Sequence, residues 1–190
     1  MGGDGTLAMV RLAERLREAV LGGGAAVHEA AAAAGEDEAD AAAAAAEELE
    51  SELMVLESIY GEGDEADGAT KPFEAATLLG ADPAVGGRLI RVDVGEVEGV
   101  RGRSALTVLL PPVSRYPREV PLLLVRNPAL RPAELLAASA AALRKAGTLL
   151  GDGVMLYELV SFLQEGLADA VAERPPVLGA EEEEEEEEEE

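Results

Sequence analysis

Side chains able to do chemistry are scarce in this chain. It has no cysteine and one histidine, His28. Composition therefore excludes a thiolate nucleophile, a disulfide and a cysteine-based zinc site. Ser104, Ser114, Ser139 and Ser161 have no histidine base with which to build a triad. No GxxxxGK[ST] stretch occurs, so there is no phosphate cradle for ATP. Carboxylates are plentiful, with 39 Asp and Glu in 190 residues, but they fall mostly in acidic runs, and no glycosidase-like pair stands out. Asp64 and Asp67, in GEGDEADGATKP, lack the alternating ligands and distal Glu of a calcium loop. No enzyme activity, cofactor or metal is expected.

The most position-specific residues lie in RYPREVP, residues 115 to 121. Tyr116 is followed by Pro117, and Pro121 closes the stretch. The apolar run LTVLLPP leads in, and PLLLV leads out. Two prolines set φ and remove two backbone donors, so this crossing is stiff and cannot join a strand ladder. Pro117 also biases Tyr116 towards extended backbone. A phenol half-buried under such a loop can bond a backbone carbonyl and peg the loop down. Tyr116, Pro117 and Pro121 therefore read as a structural loop motif.

Elements must position that crossing. Leu7 to Val20 shows helical spacing and ends at Gly22-Gly23-Gly24. Ala25 to Ala46 is low-complexity, mostly Ala with Glu and Asp, and reads as a helical or disordered spacer that buries little area. The signal sharpens at EELESELMVLESIYGEG. There Leu49, Leu53, Leu56 and Tyr60 share one helical face with Ile59 beside them, and Gly61 is a natural stop. Residues 61 to 72 read as a loop. Four short strands follow, at Phe73–Leu79, Arg88–Val94, Leu106–Leu110 and Pro121–Val125. They are too closely spaced for crossover helices, which implies an antiparallel meander. Pro132 opens a helix to about Leu150, Gly151-Asp152-Gly153 breaks it, and Val154 to Val171 forms the last helix. The fold class is α+β, with helices on an antiparallel sheet. The expected organisation is an Ala/Gly-rich acidic extension over 1–43, a domain over 44–172 and a disordered acidic tail over 173–190.

Charge is unevenly distributed. The formal net charge is −24, and ten of those charges are Glu181 to Glu190. From Arg88 to Lys145 there are ten basic residues against five acidic ones. A strongly acidic chain repels nucleic acid and anionic membrane, and only the basic middle could oppose that. No stretch reaches about 20 strongly apolar residues, so no membrane span is expected, and no secretory signal is present. MGGDGT fits the loose N-myristoylation pattern at Gly2, but neither a cysteine nor a basic cluster supplies the second anchor that stable attachment needs. The cytoplasm is the expected location, with the nucleus as alternative.

Three motifs in order carry a resemblance. ELESELMVLESIYG, then LPPVSRYPREVP after strands, then GVMLYELVSFLQE opening the final helix together resemble the RWD domain family, over about Glu47 to Leu167. The helicase-associated version is similar in the stretch from NPALRPAELL onward. The resemblance implies a sandwich like that of ubiquitin-conjugating enzymes, with a four-stranded antiparallel sheet. It also implies a non-catalytic protein-interaction module, an adaptor or regulatory domain in translation control, with an RNA helicase or in the ubiquitin system. Conjugating enzymes carry a similar Tyr-Pro loop, but they need a cysteine for the thioester. Their His-Pro-Asn segment is also absent, since Val125 is followed by RNPALRP. The alternative is the N-terminal part of a DExH-box RNA helicase touching RNA or ribosome through residues 88–145. Two candidate interfaces follow. One is the acidic helix face with Glu50 and Glu57, with Glu47 nearby. The other is a basic surface of Arg115, Arg118 and Arg126 around the proline loop.

Overall fold

The computed structural model describes residues 3–22, 37–61, 73–78, 87–111, 115–151 and 153–178. The candidate modification at Gly2, His28, Ser114, the 62–72 loop with Asp64 and Asp67, and Glu181–Glu190 lie outside them.

Eight elements follow one another: α1 (Gly3–Leu21), α2 (Asp37–Tyr60), β1 (Phe73–Leu78), β2 (Gly87–Glu96), β3 (Arg103–Leu110), β4 (Leu122–Arg126), α3 (Pro132–Thr148) and α4 (Met155–Ala172). The strands form one sheet in the order β1-β2-β3-β4, with every pairing antiparallel. Loops too short for crossovers leave only this meander, as the spacing predicts. The start of β1 at Phe73 and the end of β3 at Leu110 match the sequence reading, Leu79 lies outside the described residues, and the other strand ends differ by one to three residues.

β2 alternates as a strand with one face on the core should: Ile90, Val92 and Val94 are buried while their neighbours are partly exposed. A bulge at Asp93/Gly95 shifts its register against β3. Gly95 takes φ +88 there, a conformation open to glycine, and its N–H donates to Asp93 Oδ1 at 2.8 Å. β3 is buried from Ser104 to Leu110.

β4 is an edge strand, and an unpaired edge is a template for unwanted pairing. Here α3 and α1 pack over it, and the Val125 N–H donates to Ser139 Oγ on α3 at 2.8 Å. α3 starts where Pro132 implies. Arg131 is its N-cap, and Glu134 accepts the Arg131 N–H at 2.7 Å, the N3 half of a capping box; the Arg131 side chain, a donor only, cannot supply the other half. Asn127 ties the neighbouring turns together: its Nδ2 donates to Arg101 O at 2.8 Å and to Ser104 Oγ at 2.9 Å, and its Oδ1 accepts the Ala129 N–H at 2.9 Å.

Two elements reach further than the sequence reading drew them. α2 begins at Asp37, inside the alanine-rich stretch, because alanine propagates a helix once a packed segment anchors it. α1 falls in the region read as an extension before residue 44, yet Val10, Ala13 and Leu16 belong to the same buried core as the sheet. Arg17 fastens it, donating to Val120 O at 3.1 Å and pairing with Glu119 at 3.2 Å.

Candidate interaction surfaces

The proline crossing is tied down from four directions. Tyr116 is 2% exposed, Pro117 and Pro121 are buried as well, and the Tyr116–Pro117 bond is cis. The Tyr116 hydroxyl donates to Glu52 Oε2 on α2 and accepts the Leu156 N–H of α4 at 3.3 Å. Glu52 Oε1 accepts the Tyr157 N–H at 3.1 Å. Pro117 O accepts the Gly151 N–H from the α3–α4 turn at 3.0 Å, and α1 holds Val120 and Glu119 from the other side. The phenol ties the loop to α2 and α4. Its partner is a carboxylate and a helix-terminal amide, where the sequence reading expected a backbone carbonyl. A hydroxyl can donate once and accept as well, and two free N–H groups at the start of α4 suit an anionic or polar partner.

Glu52 is the residue that sequence reasoning missed. The sequence reading does not single it out, and the structure leaves it 2% exposed. A signal was present. Position 52 follows Leu49 by three and precedes Leu56 by four, which places it on the core-facing side of a 3.6-residue helix. Burial pushes its carboxyl above the ordinary carboxylate range, and the bonds from Tyr116, Tyr157 and Leu156 pull more weakly the other way. Burial also raises the Tyr116 phenol, with Glu52 beside it adding to the rise, so the phenol keeps its proton and acts as donor.

Of the charged candidates, one basic residue lies apart from the other two. Glu50 and Glu57 are exposed, and Glu50 pairs with Arg88 of β2. Arg115 and Arg118 are exposed on the crossing, where the Arg118 N–H donates to Arg115 O at 2.7 Å. Arg126 does not sit with them. It ends β4, roughly 13 Å of strand rise beyond Leu122, and its guanidinium meets Met9 Sδ of α1 at 3.4 Å. A strand carries its two ends apart, so residues near in sequence part company. Ile59, expected beside the buried leucines, is 50% exposed. Met54 and Val55 on the same helix are 63% and 49% exposed.

Among the described residues no cluster of three or more His, Cys, Asp or Glu could hold a metal ion, and no helix is long and apolar enough to cross a membrane. A family model described as RWD domain matches residues 47–167, well over half of the chain and running from the middle of α2 through most of α4. No curated protein matches the chain.

Proposed function

The chain belongs to the RWD domain family, and from that membership we propose that it acts as a non-catalytic adaptor or regulatory domain. It docks another protein in the cytoplasm, within translation control, an RNA helicase assembly or the ubiquitin system. RWD domains mediate protein interactions.

One observation supports this reading above the others. The tyrosine–glutamate pair that could have been a reactive constellation is buried and saturated by its own fold. Tyr116 and Glu52 are each 2% exposed, and each already has its hydrogen-bond partners. A catalytic acid or base must reach a substrate atom, and these are buried against α4 and each other. Their role is to hold a rigid body whose outer faces recognise something else. The basic middle argues less for RNA than its residue count suggests, because Arg88, Arg103, Arg131 and Arg144 are each in an ion pair, and phosphate contact would compete with those carboxylates.

The test is capture of partners by the full chain with cross-linking. Two double variants are run beside the wild type: Glu50→Lys with Glu57→Lys, and Arg115→Glu with Arg118→Glu. The expected result is a reproducible protein partner lost by one double variant at unchanged melting temperature. A chain that retains no protein above an equally acidic unrelated control overturns the reading. So does one that retains RNA alone with a steep salt dependence.

A further inference from the structure

We propose that the outward stripe of α2 is a docking face for a basic amphipathic helix. This rests on the adaptor reading above and names the class of partner. α2 has two working sides. Leu53 and Leu56, with Glu52, face the core. Ser51, Met54, Val55, Ser58 and Ile59 are all exposed, and they recur at i, i+3, i+4, i+7 and i+8. That is the spacing of an apolar seam between helices. Single exposed hydrophobics are ordinary on protein surfaces. Here Met54 at 63%, Val55 at 49% and Ile59 at 50% exposure fall in one stripe at a helix-pairing period. Ser51 and Ser58 are small, and they leave room between the larger side chains for knobs from a facing helix.

Charge selects the occupant. α2 contains no basic residue from Asp37 to Tyr60. Glu47, Glu48, Glu50 and Glu57 are exposed along it, and among the described residues only Glu50 of these four is in an ion pair. A second copy of α2 would set carboxylates against carboxylates, which disfavours self-pairing. A helix with Lys or Arg flanking its apolar residues would complement the stripe and steer towards it. The helices here that carry basic residues are already packed, α1 on α3 and β4, and α3 on α4 and β4, so neither is the occupant.

The experiment selects ligands on the full chain from a displayed library of helical peptides. Apolar residues are held at i, i+3, i+4 and i+7, and the flanking positions are randomised. Lys and Arg should be enriched at the flanks. A synthetic copy of the selected peptide, followed by fluorescence anisotropy, should lose about tenfold or more in affinity to the chain carrying Val55→Glu and Ile59→Glu. The uncharged triple variant Met54→Ala, Val55→Ala, Ile59→Ala should weaken it too, and both variants should keep the wild-type melting temperature. Acidic or unbiased flanks overturn the proposal. So do peptides indifferent to both variants, a selection that yields no ligand, or self-association of the wild type that Val55→Glu with Ile59→Glu abolishes. If the captured protein partner of the preceding section is unaffected by these α2 variants, this proposal falls and the adaptor reading stands. If no partner is captured at all, the adaptor reading falls with it.

Discussion

Two glutamates in this protein serve helix N-termini, and they respond to that task in opposite ways. Glu134 sits in the first turn of α3 at the surface, where its carboxylate meets its own N-cap residue Arg131 at 2.9 Å and accepts that residue's N–H. The bonds from Arg131 hold its carboxyl down at about 2. Glu52 arrives from another helix, is buried, and serves α4. Burial drives its carboxyl above the usual value of 4.5 despite three bonds that favour the anion. The difference teaches which effect wins. Desolvation outweighs hydrogen bonding when a carboxylate leaves water, and a nearby guanidinium wins when it does not.

Breaking the buried member should cost most. Tyr116→Ala removes a ring that is 2% exposed and deprives Glu52 of its donor, with an expected loss of about 3–5 kcal/mol in urea unfolding. A loss below about 1 kcal/mol would show that the crossing is held by its prolines and by Gly151 alone. Tyr116→Phe keeps the ring and deletes the hydroxyl. It removes the donor to Glu52 and one acceptor of the Leu156 N–H, and the expected cost is about 1–3 kcal/mol.

Acidity separates the two glutamates more sharply than truncation. A carboxyl whose folded pKa is raised contributes stability that is fully present below its unfolded value, near 4.5, and is lost as pH rises through the raised one. Glu52→Gln should therefore flatten the part of the stability profile that declines as pH rises above 4.5, in melts collected across that range. An unchanged decline in the variant would assign it to another group. Glu134 has the reverse sign. Its contribution is present above 4.5 and is lost as pH falls towards about 2. Glu134→Gln should remove that acid-side loss and lower stability at neutral pH by the same amount, which solvent screening keeps small, the smallest effect of the set. A larger effect at neutral pH than that of Tyr116→Phe would reverse the ranking of the two sites.

Much of this was legible before any coordinates. Pro132 stands at the start of α3 as its fixed φ implies, and α2 ends at Tyr60 before Gly61, which lacks the left-handed φ of a glycine cap. The four strands follow from short apolar runs with no room for crossovers. The α2 face was read correctly at Leu53 and Leu56 and misread on either side of them. Glu52 is not read as a core residue because charged residues are seldom buried, and Ile59 is read as one because apolar ones often are. Residue type overruled helical position in both cases, and position was the better guide.

What the sequence alone determined is local: element order, the antiparallel meander, the stiff crossing and the exclusion of cysteine chemistry. Each depends on a backbone preference, a loop length or a missing atom, none of which requires knowing what lies opposite. Only the tertiary structure decided the rest. It packed α1 into the core, separated Arg126 from Arg115 and Arg118, joined Glu52 to Tyr116 across 64 positions, and left a second apolar stripe on α2 uncovered. These are contacts between segments far apart in the chain, and which side chains meet there is set by how the helices pack on the sheet. No spacing within a single segment encodes that.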